Sequence, residues 1–470
     1  MSDNKNLVQV VSCTITELFS EKVIDSDGNE ISGTLEIPEY QRPYVWTKKE
    51  IDKLLSDIKE QNNKQDEKPM YYLGSIILHK YRKDEEEKDH LAIIDGQQRI
   101  TTLAIMQHII KEINKVPKVK YVSPITIEHI KKNHNFLELK KEDWINDIDF
   151  ENLNVTLVVT ENEDDAYTFF ETQNTGGVRL SGIDIIKAHH LRKISPNGKR
   201  DEQYAITWEN QKNIDVVIEQ LIKARRWNIL DWQNVPSDRD IKGTKNSIVQ
   251  DFSEKTLEKT KAAYTQIIFT DNYSSIKVSP FKLAIRQPLA NGENFIDYLE
   301  QFTELYQRLF KNNSDADIPN EYYKFNKAII KKIDGTAFLK EFYEIAILCY
   351  VNKFGLENLL EASFWIFRYT YSLRVCKRMI REDGIPAFIK NGNYIFDVIT
   401  AAFNHRLLIE RLCSFSYQEC EIPASGAGSN TILNFIKRVN DYFGCIDKNK
   451  YDKTLKTSIE KKIKENPNGK

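Results

Sequence analysis

The sequence has no paired cysteine motif, almost no net charge and no apolar run of the ~18 residues that would cross a membrane. Its 6 cysteines are scattered, which favours reduced thiols and argues against a zinc knuckle. The first residues lack the apolar region of a signal peptide. A formal net charge of -2 excludes a globally basic protein, so any DNA contact must come from a local patch. We expect a cytoplasmic protein that does not use a membrane.

At 470 residues the chain is too long for one ordinary core, and its pattern changes near residue 200. Strand and helix patterns alternate before that point, whereas apolar residues recur at three and four after it. We predict an α+β fold with a mixed domain over residues 1–200, an all-helical domain over 201–445 and a lysine-rich, frayed or helical surface tail over 446–470. Ser195 to Asp201 is the predicted linker. The helices expected in the second half are 250–269, 292–311, 336–352, 355–382 and 395–413.

Residues 90–104 contain the most informative pattern. An apolar run over 90–94 predicts a buried strand, and helical spacing starts at Gln97. The turn between them holds Asp95, Gly96, Gln97, Gln98 and Arg99. A helix N-terminus attracts phosphate, and glycine lets a ligand approach the backbone. Arg99 offers a forked phosphate contact and Asp95 offers a ligand for Mg²⁺. The alternative is a turn whose polar side chains only cap the helix; five such residues together favour a site.

Other segments predict elements around this turn. Strands are expected at 8–11, 71–79 and 154–160, and the second of these is expected to form an antiparallel pair with the strand before Asp95. Pro38 and Pro43 exclude a helix over residues 35–46. A helix is expected over 164–172. Capping boxes are predicted at Thr14/Glu17, Thr47/Glu50 and Ser181/Asp184.

Four motifs in order resemble one known family. They are Ile37-Pro-Glu-Tyr-Gln-Arg-Pro-Tyr-Val-Trp46, Tyr72-Leu-Gly-Ser75, Asp95-Gly-Gln-Gln-Arg99 and Phe170-Glu-Thr-Gln-Asn-Thr-Gly-Gly-Val-Arg-Leu-Ser181. Together they resemble the ParB-like "DGQQR" domain of the GmrS family of modification-dependent restriction and phage-defence proteins. The resemblance covers residues 5–200, and Ile285 to Gly292 resembles the start of a helical region that often follows. It implies a ParB-like α+β core that binds a nucleoside triphosphate with Mg²⁺, often hydrolyses it, and couples it to DNA recognition.

The resemblance also implies roles for individual residues. The nucleotide motif matches Asp95, Gln97, Gln98 and Arg99, which are the candidate catalytic residues, with Asp95 also the metal ligand. The candidate cofactor-binding residues are Gln41, Arg42, Gly96, Asn174 and Lys187. The segment with Tyr40, Tyr44 and Trp46 is tied to DNA or modified-base reading in relatives. Relatives with complete restriction activity carry a C-terminal His-Asn-His nuclease domain; this sequence shows no such motif, and Ile127-Glu-His-Ile130 is a poor match.

Several assignments have alternatives. Tyr40, Tyr44 and Trp46 fit a base-stacking platform and, equally well, half-buried aromatics that pack on the next helix. A helical stripe of Arg374, Arg378 and Arg381 fits DNA phosphates, although a solvated face or intramolecular salt bridges are favoured. His189 and His190 point about 100° apart, so packing is favoured over a metal site.

The leading hypothesis is a nucleotide-binding, NTP-hydrolysing DNA sensor of a bacterial defence system that acts with a separate nuclease. One alternative is a non-catalytic, nucleotide-gated DNA-binding adaptor. Another is a ParB-like nickase. The expected partners are DNA, plain or modified, and the nuclease subunit, and self-association is left open.

Overall fold

The computed structural model divides the chain into two compact units, residues 1–210 and 211–470, each of which is treated separately. The residues it describes are 8–24, 28–64, 70–83, 88–110, 116–117, 119–121, 123–173, 181–194, 200–237, 239–258, 266–270, 272–312, 314–332, 337–377, 379–417 and 429–466. The predicted linker falls largely outside these ranges. The predicted α+β class, with a mixed first part and a helical second part, is confirmed.

The first unit is built on a five-stranded mixed sheet. Its strands are β1 (Val8–Thr14), β4 (Thr34–Glu36), β5 (Tyr71–Arg82), β6 (Asp89–Asp95) and β7 (Leu153–Thr160), and β2 (Lys22–Ile24) and β3 (Glu30–Ser32) form a separate hairpin. The order across the sheet is β1-β7-β5-β6-β4. β5 and β6 are antiparallel, as predicted, while β5–β7 and β4–β6 are parallel.

Eight helices of the first unit are described. They are α1 (Ile15–Phe19), α2 (Lys48–Asn62), α3 (Gln97–Ile110), α4 (Pro124–Leu139), α5 (Lys141–Trp144), α6 (Glu163–Gln173), α7 (Gly182–Arg192) and α8 (Arg200–Asn210). The three predicted capping boxes, before α1, α2 and α7, are all present. Each satisfies backbone N–H groups that the first helical turn leaves without partners.

The sheet is covered on both faces, which explains the continuous apolar run of β6. Leu91 and Ile93 join the larger core, to which α1 to α4 contribute. Ala92 and Ile94 join a smaller core with residues of α6. Because side chains alternate along a strand, a strand buried on both faces has no polar position until it ends. That end is Asp95, where the chain first becomes polar.

The second unit is mainly helical. Its α-helices are α9 (Ile214–Arg226), α10 (Ile241–Val249), α11 (Glu293–Tyr306), α12 (Asn320–Phe325), α13 (Ala337–Phe354), α14 (Leu359–Thr370), α15 (Ser372–Cys376), α16 (Gly384–Lys390), α17 (Ile395–Ala401), α18 (His405–Ser414), α19 (Ser429–Phe443) and α20 (Tyr451–Glu465). Gln250–Glu254, Gln307–Lys311 and Asn326–Ile330 are π-helical, and Lys448–Lys450 is a 3₁₀ turn. β8 (Ile267–Phe269) and β9 (Ile276–Val278) form a hairpin.

Three expectations for the second half need correction. The helix expected over 250–269 is wrong beyond Glu254, because Leu257 bridges to Ala290 and the end of the segment pairs as β8. The helix expected over 355–382 is broken into α14 and α15 and ends at Cys376. The helix expected over 395–413 is two helices separated by residues 402–404.

The lysine-rich C-terminal segment belongs to the body of the second unit. It is helical, as expected, but Tyr451, Leu455 and Ile459 of α20 are buried. Asp452 pairs with the fully buried Arg368 of α14 through Nε at 2.9 Å. The description as a surface tail is therefore wrong, because its apolar stripe and one ion pair attach it to α14. In the part of the chain that the structure describes, no helix is long and apolar enough to span a bilayer.

Candidate functional site

The turn between β6 and α3 has the predicted strand–turn–helix geometry. Gly96 has φ +95°, a backbone conformation that glycine adopts without strain. A Cβ at this position would lie 2.8 Å from Cγ1 of Ile76. The Gly96 carbonyl accepts the helical hydrogen bond from Ile100 N at 3.0 Å, so α3 starts immediately after the turn. Both the backbone angle and the close contact require glycine here.

Arg99 holds this turn against the neighbouring strand. Its Nη1 donates to the Leu73 carbonyl at 2.6 Å, and its Nη2 donates to the Ser75 carbonyl at 2.8 Å. Nη2 also lies 3.3 Å from Oδ2 of Asp95. The register of β5 shifts between Tyr72 and Ser75, which turns these two carbonyls toward the guanidinium.

Gly74 makes this arrangement possible. Its φ is +101°, and a Cβ there would lie 2.6 Å from Nη1 of Arg99. Two of the motifs noted in the sequence therefore contact each other. The arginine of Asp95-Gly-Gln-Gln-Arg99 donates to backbone carbonyls of Tyr72-Leu-Gly-Ser75. The geometry gives the Arg99 guanidinium a part in holding the fold, and its predicted contact with phosphate would require giving up some of these bonds.

Gln98 similarly holds the extended segment before α2 in place through hydrogen bonds to its backbone. Its Oε1 accepts from the backbone N–H of Val45 at 2.9 Å and of Trp46 at 3.2 Å, and its Nε2 donates to the Pro43 carbonyl at 3.0 Å. This segment belongs to no sheet, so its backbone groups need other partners. The buried Gln98 amide supplies three of them.

Tyr44 is a core residue, and its predicted role as a base-stacking platform is wrong. Its side chain is 0% exposed, and its hydroxyl hydrogen bonds with Thr102 at 2.8 Å and Asn133 at 2.9 Å. Trp46 is half-buried against the same core. For Tyr44 the packing alternative is confirmed, because no base could reach the ring without opening the core.

Tyr40 instead lines a cleft of about 250 Å³. The cleft is bounded by Tyr40, Gln41, Arg42, Asp164, Tyr167, Phe170, Asp184, Ile185, Ala188, His189 and Arg192. The Tyr40 hydroxyl donates to Oε1 of Glu163 at 2.7 Å, and its ring lies 5.7 Å from that of Tyr167. Burial raises the pKa of Tyr40 well above its usual value. Tyr40 is therefore the residue of the predicted aromatic set that faces a cavity.

The sequence analysis named neither Arg192 nor Tyr167 among the residues of this cleft, whereas it assigned His189 to packing. The Arg192 guanidinium lies 4.2 Å from the centre of the Tyr167 ring and pairs with Asp164 at 2.6 Å. Burial lowers the pKa of His189 to about 4, so this imidazole is neutral at physiological pH. The helical spacing of Ala166, Phe169 and Phe170 assigned α6 to packing, and no local signal distinguished Tyr167 from its neighbours.

The structure brings Gln41 and Lys187 together. Lys187 Nζ donates to the Gln41 carbonyl at 2.9 Å and pairs with Oε1 of Glu209 at 3.2 Å. Gln41 Nε2 donates to the Ile94 carbonyl at 2.9 Å. The Lys187 side chain is 3% exposed, and burial lowers its pKa despite the pairing with Glu209. These contacts fix the Gln41 segment against the end of β6.

Arg42 is the cation that the site leaves available. No described residue forms a hydrogen bond or ion pair with its guanidinium. It borders the aromatic cleft and also a small polar cavity of about 30 Å³ that includes Gln97, Glu39 and Glu209. Oε1 of Gln97 and Oε2 of Glu209 are buried and lack a partner among the described residues.

Glu39, in the same small cavity, has a perturbed carboxyl. Burial, reinforced by the charge of Glu202, raises the pKa of Glu39 to about 7. A space of this size suits a water molecule or a small ion rather than an organic ligand. The cavity therefore adds polar groups beside the N-terminus of α3 without holding a nucleotide itself.

The remaining predicted site residues are not assembled by the structure. Asn174 and Arg378 lie outside the described residues. Arg374 is 1% exposed, whereas Arg381 is exposed and lies beyond the end of α15. The predicted helical stripe for DNA is wrong, because the helix ends first and Arg374 points into the core. Within the described ranges, no three His, Cys, Asp or Glu side chains are grouped so as to hold a metal ion.

The fold and this site define a class of protein domain: a mixed α+β domain whose strand–turn–helix carries Asp-Gly-Gln-Gln-Arg beside a cleft. Within the first unit, residues 15–191 match a family model described as the GmrSD restriction endonuclease, N-terminal domain. Residues 200–426 match a second model, a family of unknown function (DUF7834). No curated protein matches the sequence.

Proposed function

We propose that this chain is the nucleotide-binding, DNA-sensing subunit of a restriction system for phage defence, and that it acts with a separate nuclease. The match of residues 15–191 to a restriction endonuclease domain supports the restriction role. The cleft beside the β6–α3 turn supports a ligand-binding role for the same unit.

One observation carries the nucleotide proposal: Arg42 has no partner among the described residues and borders both cavities. An arginine that no carboxylate neutralises attracts an anion, and its planar fork suits phosphate. The N-terminus of α3 offers unpaired backbone N–H groups nearby, and Gly96 leaves the backbone bare there. Phosphate at this place would contact two independent sources of positive potential.

The β6–α3 turn offers Mg²⁺ one carboxylate. Asp95 is the carboxylate at the turn, and Mg²⁺ in nucleotide sites commonly uses one or two carboxylates together with phosphate oxygens and water. When bound, the ion would neutralise phosphate charge. Asp95 would hold it, Arg42 would orient the phosphates, and Arg99 would keep Asp95 in place through its contact with Oδ2. Gln98 and Arg99 therefore become positioning residues.

The aromatic cleft supports the DNA part of the proposal. Tyr40, Tyr167 and Phe170 give it apolar walls, while Asp184 supplies an acceptor. A flipped base is read by stacking and by hydrogen bonds along its edge. The volume of about 250 Å³ suits a single base better than a whole nucleotide.

A second candidate is the adaptor that binds nucleotide without hydrolysing it. It is favoured by one observation, the full engagement of Gln98 by backbone groups. A side chain that already makes three hydrogen bonds does not orient a water for attack. The two candidates differ in turnover alone.

The test measures phosphate release by the full chain with each nucleoside triphosphate and Mg²⁺, with and without plain or modified DNA. Arg42→Ala should lower nucleotide affinity by about tenfold or more, which is the loss of one charge-assisted contact. Asp95→Asn should lower turnover with little change in affinity.

Arg82→Ala is the matched control, since Arg82 is exposed on the same sheet and pairs only at the surface with Asp89. Nucleotide binding without turnover would select the adaptor. Unchanged binding and turnover in Arg42→Ala would remove the site assignment.

A further inference from the structure

The second unit contains a small apolar cavity that has no part in the nucleotide proposal. Its volume is about 190 Å³. Its walls come from the end of α9, the loop after it, α13 and α16, and the apolar lining residues are Trp227, Val235, Pro236, Phe338, Phe342, Ile345, Ile385 and Pro386. A cavity below ~300 Å³ is smaller than the usual site for an organic cofactor. It has room for one large side chain.

The wall contributed by α13 is one face of that helix. Phe338, Phe342 and Ile345 follow one another at spacings of four and three, which places them in line along the helix surface. Phe342 and Ile345 are 1% exposed, whereas Phe338 is half-buried and lies nearer the opening. The cavity thus continues an apolar face toward the surface instead of closing over it.

Trp227 adds a large aromatic ring to this wall. Its side chain is 5% exposed, and its indole Nε1–H has no acceptor among the described residues. The ring is stacked with those of Trp232 and Phe396, which keeps it from turning toward another partner. The Trp227 ring is therefore a fixed wall of the cavity.

The edge of the cavity is acidic. Glu341, Glu382 and Asp383 lie there with a single lysine, Lys223, which already pairs with Glu341. Asp383 is exposed, and its carboxylate has no hydrogen-bond or ion-pair partner in the described part of the chain. The surplus of negative charge favours a basic occupant and disfavours nucleic acid.

We propose that this cavity is the docking site for a segment of a partner protein in which one large apolar side chain lies next to lysine or arginine. The apolar side chain fills the cavity against the Trp227 ring and Phe342, and the basic residue faces Asp383. Such an anchor in a pocket, with charge at its edge, is how many protein interfaces concentrate their affinity.

The test uses the full chain labelled with 5-fluorotryptophan, which gives six ¹⁹F signals for the 6 tryptophans. The Trp227→Phe variant assigns the signal of interest. The probe is acetyl-Arg-Leu-Arg-amide, and acetyl-Glu-Leu-Glu-amide and acetyl-Arg-Gly-Arg-amide are its controls. The leucine–arginine peptide should shift the Trp227 signal to saturation, and both controls should leave it in place.

Two surface variants make the result specific without disturbing the core. Asp383→Lys should weaken binding of the probe by about fivefold, the size of an exposed charge contact. Ser237→Phe, at the exposed edge of the cavity, should block it. Asp441→Lys, an exposed acid that does not line the cavity, is the matched control and should bind normally.

Two results would overturn the proposal. One is the absence of any Trp227 shift up to the solubility limit of the probe. The other is equal binding of uncharged acetyl-leucine-amide, which would assign the cavity to a small apolar ligand instead. Neither outcome depends on nucleotide hydrolysis, so this proposal and the proposed function fail separately.

Discussion

The structure makes a sharp prediction for Arg99, the residue that joins the β6–α3 turn to the bulge in β5. Arg99→Ala should destabilise the first unit, because two backbone carbonyls and Asp95 lose their donor. Hydrogen bonds to a charged group are worth ~1.5–3 kcal/mol each, so two of them give ~3–6 kcal/mol before water is considered. The Arg99 side chain is 23% exposed, and water would replace part of the loss. A net cost of ~3 kcal/mol follows on the same scale.

Urea unfolding of the full chain, followed by circular dichroism, measures this cost. With a slope of ~2 kcal/mol per molar urea, a loss of ~3 kcal/mol lowers the midpoint of the first unit by ~1.5 M. Gly74→Ala should act on the same contact, because its Cβ would meet Nη1 of Arg99 at 2.6 Å. Arg42→Ala is the contrasting variant and should leave the midpoint unchanged, since no described residue forms a hydrogen bond or ion pair with its guanidinium.

The reasoning fails if Arg99→Ala keeps the parent midpoint and yet loses nucleotide binding. That result would mean that the guanidinium leaves the β5 carbonyls to contact phosphate. A parent midpoint with parent binding would also refute the structural role. Only a coupled loss, in which stability falls and binding falls because the turn is no longer held, agrees with the geometry.

Three further outcomes are expected. The free energy of unfolding of the first unit should fall as the pH rises from about 4.5 toward 7. The reason is that the pKa of Glu39 is raised to about 7, so its carboxyl keeps a proton in the folded state that it releases in the unfolded state. Glu39→Gln should reduce this dependence of stability on pH, measured by urea unfolding at several pH values. Asp452→Asn should cost ~3 kcal/mol, since it leaves the buried Arg368 without its counter-charge, and thermal unfolding would detect it. Tyr44→Phe should lower the free energy of unfolding by ~1–2 kcal/mol and leave DNA affinity unchanged. Tyr40→Ala should weaken DNA binding in a gel-shift assay. If Tyr44→Phe weakened DNA binding and Tyr40→Ala did not, Tyr44 would again be the candidate base-stacking residue.

The family match concerns the first unit as a whole, whereas the site geometry concerns individual residues within it. The match to a restriction endonuclease domain covers residues 15–191 as a whole. The contacts of Gln98 and Arg99 give these two residues a structural role in this chain before any ligand is considered. A variant of either residue that loses activity is therefore weak support for a chemical role unless its stability is measured beside it.

Local sequence was sufficient for the elements that surround the site. The apolar run before Asp95, the turn at Gly96 and the three capping boxes depend on neighbours within four residues along the chain. Such features are decided by backbone geometry and by hydrogen bonds that close within one helical turn. The order β5–β6–turn–α3 could be predicted for the same reason.

Local sequence failed where an element ended because of a distant partner. Nothing near Leu257 indicates that it will bridge to Ala290, and nothing near Arg374 indicates that it will be buried. Helical spacing describes which residues share a face, but not whether solvent or another helix covers that face.

The sequence by itself thus determined the mixed first part, the helical second part, the strand–turn–helix and the family resemblance. Only the tertiary structure decided which polar and aromatic side chains of the motifs are available to a ligand. The sequence does not distinguish Arg42 from Arg99 or Tyr40 from Tyr44, because each pair has the same residue type. Their availability to a ligand differs because residues about 25 to 90 positions away hydrogen bond with Arg99 and Tyr44. Burial and hydrogen bonding are set by contacts between distant segments, which chain folding brings together and residue spacing does not encode.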